Sequence, residues 1–360
     1  MSQTHGLPYN PVEQIPPGET LLEWLEKSDM SQAEFAKRSG LTPKHINQVV
    51  KGGASISPEV AIAFERVTSI GAQFWTQLEA NYQTALQRQV EEQELERDLH
   101  LLQVFPIAEL VKRKAIAPKS SKIEQLRELL RFFGVANAAA LERVWAQPTL
   151  FRKSKAFDAD DAALASWLRL AEVGAPKTRP FDAALCRASL DQMRRLSALP
   201  AMDWWEPLQA LCADVGIAAV ILKEFRGCRV NGATRWLPGD RALIALSFRH
   251  LRNDIFWFTF FHEVCHVLRH GKKETFIEGA GQVNPDQLES EADAFAAKTL
   301  IPPHRAVELE SINTVEQLVD FADDLGIAPA IVVGRMQHEK LIPYKQWQEF
   351  FERYEFVANG

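Results

Sequence analysis

The sequence is poor in everything that would mark a disulfide scaffold, a membrane protein or a fibre. It has four cysteines, Cys186, Cys212, Cys228 and Cys265, none of them in a CxxC pair. A disulfide framework is thereby excluded and a reducing, cytoplasmic setting is expected. The longest strongly apolar run, Ile255–Leu268, already contains His262, Glu263 and His266. It falls short of the ~20 residues that span a bilayer, so no membrane partner is expected. No cationic start followed by an apolar stretch and a small-residue cleavage site is present. Positive charge is not in excess either: 41 Lys and Arg stand against 47 Asp and Glu, a net charge of −6. Nucleic acid can therefore be held only through a local basic patch. Internal repeats and low-complexity tracts are missing. What remains, 360 residues of which 46% are hydrophobic and 24% charged, is an ordinary globular composition with length for two or three domains.

Punctuation along the chain predicts a multi-domain, mostly α protein. Residues 1–17 read as a Pro- and Gly-rich tail, 18–100 as a bundle of short helices with a charged exit helix, 101–200 as a helical connecting domain, and 201–360 as an α+β domain with a small sheet. In the bundle, Ser31-Gln32-Ala33-Glu34 has the form of a capping box, and Thr42-Pro43 and Ser57-Pro58 pair an N-cap with Pro at the first helical position. The connecting stretch has breaks at Ala117–Ser121, Gln147–Thr149 and Gly174–Pro176 and no chemical motif. Strand-length apolar runs follow at 216–222 and 241–247, with a loosely alternating segment at 230–236 between them. A long apolar helix is then expected over 254–270, closed by Gly271.

The first candidate site is a helix-turn-helix. Counting from Gln32, Ala36 is the small residue where two helices cross, Gly40 supplies a left-handed turn, and Ile46 and Val49 point inward from the second helix. That leaves Thr42, Lys44, His45, Asn47, Gln48 and Lys51 on or near the outer face. Between Phe35 and Pro58 the charged residues are Lys37, Arg38, Lys44 and Lys51, with no Asp or Glu. Such a patch attracts phosphate, and Asn, Gln and Lys can read base edges. The alternative is a plain bundle with a solvated basic face. As a DNA reader it would act as a homodimer on a two-fold double-stranded operator. The segment from Pro17-Gly18-Glu19 through Phe74-Trp75, with Leu41 and Ile56-Ser57-Pro58-Glu59, resembles the HigA-type antitoxins of toxin–antitoxin modules. The resemblance implies a dimeric operator binder that autoregulates and neutralises a toxin.

The second candidate is a zinc site. His262-Glu263-Val264-Cys265-His266 is an HExxH pattern, which puts both imidazoles on one helix face a turn apart. Glu263 stands beside them as the base that takes a proton from the attacking water. In the later run Glu289-Ser290-Glu291-Ala292-Asp293, Glu289 suits a third ligand and Asp293, on the same face, a hydrogen-bond acceptor for a ligand histidine. Glu291 points about 200° around the helix from Glu289 and is the weaker third ligand. His270, one turn past His266, reads as a supporting or a surface residue. The strand around Thr234 is expected to hold an extended substrate by edge pairing. No residue is singled out as the oxyanion donor: Arg335, His338 and Tyr344 are candidates, each with a structural role as the alternative.

These elements resemble the ImmA/IrrE zinc metallopeptidases. The likeness also takes in Asn231–Trp236, the aromatics Trp257, Phe258, Phe260 and Phe261, the helix end Leu300-Ile301-Pro302, and Ile331–Gln337. It implies a gluzincin-like domain that cleaves helix-turn-helix repressors. Here a helix-turn-helix lies on the same chain, so a separate repressor, the chain itself, or no protein at all stands open as substrate. Two functions follow: a DNA-binding regulator with a working peptidase, or an antitoxin or repressor whose zinc domain only senses metal or grips a toxin.

Overall fold

The computed structural model describes residues 15–145, 159–200, 203–247, 249, 252–270, 276–278 and 286–354. The chain divides into two compact units, Met1–Asp98 and Leu99–Gly360.

The first unit is a bundle of α1 (Pro17–Lys27), α2 (Gln32–Ser39), α3 (Pro43–Val50), α4 (Pro58–Thr68) and α5 (Ala72–Asp98). Its short helices start where side-chain oxygens can cap them. Ser31, Thr42 and Ser57 each accept the backbone N–H three residues on, from Glu34, His45 and Val60. The expected capping box is only half made, because the Glu34 carboxylate accepts from Arg38 Nε at 2.7 Å. Gly40 turns the chain in the left-handed region at φ 72°. Ala36, Ile46 and Val49 are buried with Leu21, Phe35, Phe64 and Trp75. Trp24, Phe35, Phe64 and Trp75 form a run of edge-to-face contacts with centroids 5.9, 5.1 and 5.4 Å apart. Glu79 of α5 is buried and accepts the Ile56 N–H at 3.0 Å, which fixes the long helix to the loop before α4.

The second unit begins with α6 (Leu101–Val104), α7 (Ile107–Lys112), α8 (Lys122–Phe133), α9 (Ala138–Trp145), α10 (Ala159–Gly174), α11 (Ala183–Arg195) and α12 (Trp205–Asp214). Then come β1 (Ile217–Ile221), β2 (Gly232–Leu237), β3 (Arg241–Leu246), α13 (Asn253–Arg269), β4 (Phe276–Glu278), α14 (Asp286–Leu300), α15 (Pro303–Ala306), α16 (Val315–Leu325) and α17 (Pro329–His338). The helices of 101–200 share one compact unit with the sheet. They are tied to it by Trp167 Nε1, which donates to the Leu222 carbonyl at 3.2 Å, and by the Arg113 guanidinium, which donates to the carbonyls of Lys223 and Glu224 at 2.6 and 3.1 Å. The sheet order is β1-β3-β2-β4, with β1 parallel to β3 and the other pairs antiparallel. Phe256, Trp257, Phe260, Phe261, Val264 and Val267 of α13 are buried in the same core as β1 and β3.

Two expectations need correction. The sheet has a fourth strand, β4, which pairs with Gly232, Ala233 and Thr234. Thr234 therefore lies between β3 and β4 with no free edge of its own for a substrate, and among the described residues the outer strand on that side is β4. The expected break at Gln147–Thr149, the closing Gly271 and the tail up to residue 14 lie outside the described residues. Among the described residues no helix is long and apolar enough to cross a membrane.

Candidate metal centre

Helix α13 sits in a largely apolar core, and the polar groups it carries into that core include two histidines and a glutamate. His262, Glu263 and His266 are each at most 2% exposed. The four-residue spacing stacks the two imidazoles with centroids 4.8 Å apart. Their Nε2 atoms are 3.0 Å apart. Glu289 from α14 meets them, with Oε2 3.2 Å from His262 Nε2 and Oε1 3.6 Å from His266 Nε2. One ligand atom from each of the three lies within 4.8 Å of the others.

The outer faces of both rings are held. Asp293 Oδ1 is 2.9 Å from His262 Nδ1, so that ring donates to the carboxylate and directs Nε2 at the cluster. His266 Nδ1 lies 2.6 Å from Nδ1 of His270, one ring donating to the other. The His270 side chain is 3% exposed and is followed by Glu291, 3.6 Å from its Nε2, and by Arg269, which donates to Glu291 at 2.6 Å. Glu291 thus faces Arg269 and His270, and Arg269 holds its carboxyl below the usual range.

Burial, and then the neighbouring His262, push the His266 pKa down to about 3. Its imidazole is neutral at pH 7, the state in which histidine binds a metal. Two imidazole nitrogens and a carboxylate converging this closely need a cation or a shared proton between them, and burial disfavours the proton on His266. The donor set fits zinc in its nitrogen and oxygen ligands, with three protein donors. Cys265 lies between the histidines, and burial pushes its thiol up to about 12, well away from the thiolate a ligand site needs.

Glu263 is turned toward β2. Its Oε2 accepts from the Thr234 hydroxyl at 2.6 Å, and the same hydroxyl lies 3.2 Å from the Glu263 carbonyl. A Cβ at Gly232 would lie 2.7 Å from Glu263 Oε1 and from Thr259 Cγ2, so only glycine leaves the carboxylate its space. The roles of Thr234 and Gly232 beside Glu263 were not legible in the sequence, because nothing local signals a strand-to-helix contact.

The other residues singled out by sequence fall as follows. Arg335 pairs with Glu339, with Nε 2.6 Å from Oε1, and together with His338 lines a cavity that Asp293 also lines. Tyr344 is 67% exposed. In the first unit, Lys37, Thr42, Lys44, Asn47, Gln48 and Lys51 are exposed. Arg38 is bonded to Glu34, and Asn47 Nδ2 donates to Gln32 across 3.5 Å. His45 is half-buried, with Nε2 turned inward.

Residues 21–75 match the Helix-turn-helix family, and residues 232–333 match the IrrE N-terminal-like domain. Among solved structures, the chain is similar to antitoxin HigA of Pseudomonas aeruginosa with the higBA promoter. The identity there is 30% over 24% of this chain and 94% of that one, at a TM-score of 0.23. It is also similar to a Pseudomonas aeruginosa protein in complex with its operator DNA, at 30% identity over 23% of this chain and 96% of that one, with a TM-score of 0.21. A HigA-family addiction module antidote protein from Coxiella burnetii matches at 24% identity over 24% of this chain and 95% of that one, with a TM-score of 0.23. No curated protein matches the chain. The chain thus carries a segment that matches the Helix-turn-helix family ahead of one that matches the IrrE N-terminal-like domain.

Proposed function

We propose that this protein is a HigA-type transcriptional regulator that binds double-stranded DNA through its first unit and hydrolyses peptide bonds with zinc in its second. The observation that carries the reading is Glu263: a fully buried carboxylate next in sequence to a His/His/Glu cluster, held by Thr234 and outside the ligand set. A metal site that only shapes the fold closes with four protein ligands and has no use for a base beside it.

In this reading His262, His266 and Glu289 would hold zinc, with Asp293 and His270 fixing the two rings. Bound zinc would polarise the peptide carbonyl and bring the pKa of water toward about 7. Glu263 takes the proton of the attacking water on its carboxylate and returns it to the departing amine nitrogen. Thr234 keeps that carboxylate in one orientation, and the core around α13 excludes bulk water from it. An extended substrate adds to the outer edge of β4. On the DNA side, Lys37, Lys44 and Lys51 supply phosphate contacts, while Thr42, Asn47 and Gln48 face the bases. A homodimer places two such helices on a two-fold operator.

The test is proteolysis of helix-turn-helix repressors, and of the chain itself, by wild type and Glu263→Gln, with zinc measured in both. Cleavage by wild type alone supports the reading. One zinc per chain without Glu263-dependent cleavage replaces it with a domain that senses metal or grips a toxin.

A further inference from the structure

The helix face that carries the histidines continues beyond them. On α13, Ile255, Phe258, Thr259, His262 and His266 recur at helical spacing and form one stripe. On α14, Ser290, Asp293, Ala294 and Ala297 recur in the same way, and Ile301 follows just past the end of the helix. Residues of both stripes, with Ile331 and Arg335 of α17, line a cavity of about 750 Å³. Asp293 lines this cavity and holds the His262 ring, so the cavity begins one hydrogen bond from the metal cluster.

Most of its wall is apolar, and Asp254, Thr259, Ser290, Asp293, Arg335, His338 and Glu339 make up the polar remainder. Ile255, Phe258, Leu300, Ile301 and Ile331 supply the apolar part, and the room comes from the small side chains of Ala294 and Ala297. Three carboxylates at its margin are held by neighbours: Arg252 donates to both oxygens of Asp254 at 2.9 and 2.7 Å, Arg335 binds Glu339, and Asp293 holds the His262 ring. The space lies within the ~300–1,000 Å³ typical of ligand sites, whereas about 150 Å³ already holds a benzene ring. It therefore takes more than one large side chain.

We propose that this cavity is a binding site for two large apolar side chains of an extended polypeptide whose backbone passes the His262–His266–Glu289 cluster. Cleavage would then fall beside an apolar pair in the substrate, an assignment that rests on the peptidase reading above.

The test uses the full chain with 13C-labelled isoleucine methyls, titrated with Ac-Ala-Leu-Phe-Ala-NH2 and, separately, with Ac-Ala-Ala-Ala-Ala-NH2. The methyls of Ile255, Ile301 and Ile331 shift with the Leu-Phe peptide at an affinity at least tenfold above that of the alanine peptide, while Ile46 and Ile217 stay in place. Ala297→Phe fills the cavity and abolishes the shifts; if that variant unfolds, Ala294→Leu makes the same test with less added volume. Cavity methyls that do not move, or that move equally with both peptides, overturn the proposal. Glu263→Gln keeps the shifts, so a chain that binds the Leu-Phe peptide and cuts nothing refutes the peptidase reading alone. A chain that cuts substrates without apolar pairs refutes the cavity assignment alone.

Discussion

The Thr234 hydroxyl donates to Glu263 Oε2 across 2.6 Å, joining the middle of β2 to the helix that carries the HExxH pattern. Both residues are fully buried, so the bond fixes the carboxylate where water cannot compete for it. Thr234→Val removes the donor at nearly constant volume and leaves that carboxylate short of a partner. Glu263-dependent cleavage should fall about 10–100-fold, the usual effect of losing a group that orients a site residue. Thr234→Ser restores most of it, and zinc content is unchanged in both. Turnover and metal content measured on the same samples check this.

Gly232→Ala should be harmful out of proportion to one methyl group. The added Cβ would stand 2.7 Å from Glu263 Oε1 and from Thr259 Cγ2. Overpacking of this kind costs about 1–3 kcal/mol. Thermal unfolding should show a lower Tm for the second unit, and cleavage should fall with it because Glu263 is the group displaced.

Asp293→Ala frees the outer nitrogen of His262, which now lies 2.9 Å from Asp293. Zinc affinity should drop about 10–100-fold, measured by competition with a chromophoric chelator. Glu289→Ala removes one of the three converging donors and should cost more than Asp293→Ala. Stripping the metal with a chelator should lower the Tm of the wild-type second unit, since a metal held by the folded state alone stabilises it. It should leave a Glu289→Ala chain nearly unmoved.

In the first unit, Lys44→Ala and Lys51→Ala should each weaken binding to duplex DNA and reduce the slope of log affinity against log salt by about 1. Asn47→Ala should instead change sequence preference. Ala36→Leu tests the scaffold: Ala36 is 0% exposed, so the larger side chain should destabilise the bundle by about 1–3 kcal/mol and abolish DNA binding. Equilibrium binding at several salt concentrations and calorimetry separate the three effects.

The local features of this chain were legible because local chemistry produces them. Ser31, Thr42, Ser57 and Gly40 mark helix ends through bonds and dihedral angles that span a few residues. Two histidines four apart must share a helix face, and Glu289 and Asp293 repeat that spacing on α14. What escaped was assembled over distance. Strand β4 is three residues long and carries no alternation, so only its pairing with β2 defines it. Its presence removes Thr234 from the sheet edge and gives the residue a different place, beneath Glu263. His270 reads equally well as a surface residue until the fold brings its ring to 2.6 Å from His266. The cavity needs α13, α14 and α17 together, and no single segment of sequence foretells it.

Whether Glu263 drives peptide cleavage is read most directly by intact-mass analysis of helix-turn-helix repressors, and of the chain's own copies, after incubation with zinc-loaded wild type or Glu263→Gln. Discrete fragments are expected with wild type, none with Glu263→Gln, and one zinc per chain in both. Equal fragmentation by the two proteins, or intact partners in both despite full zinc occupancy, would contradict that role of Glu263.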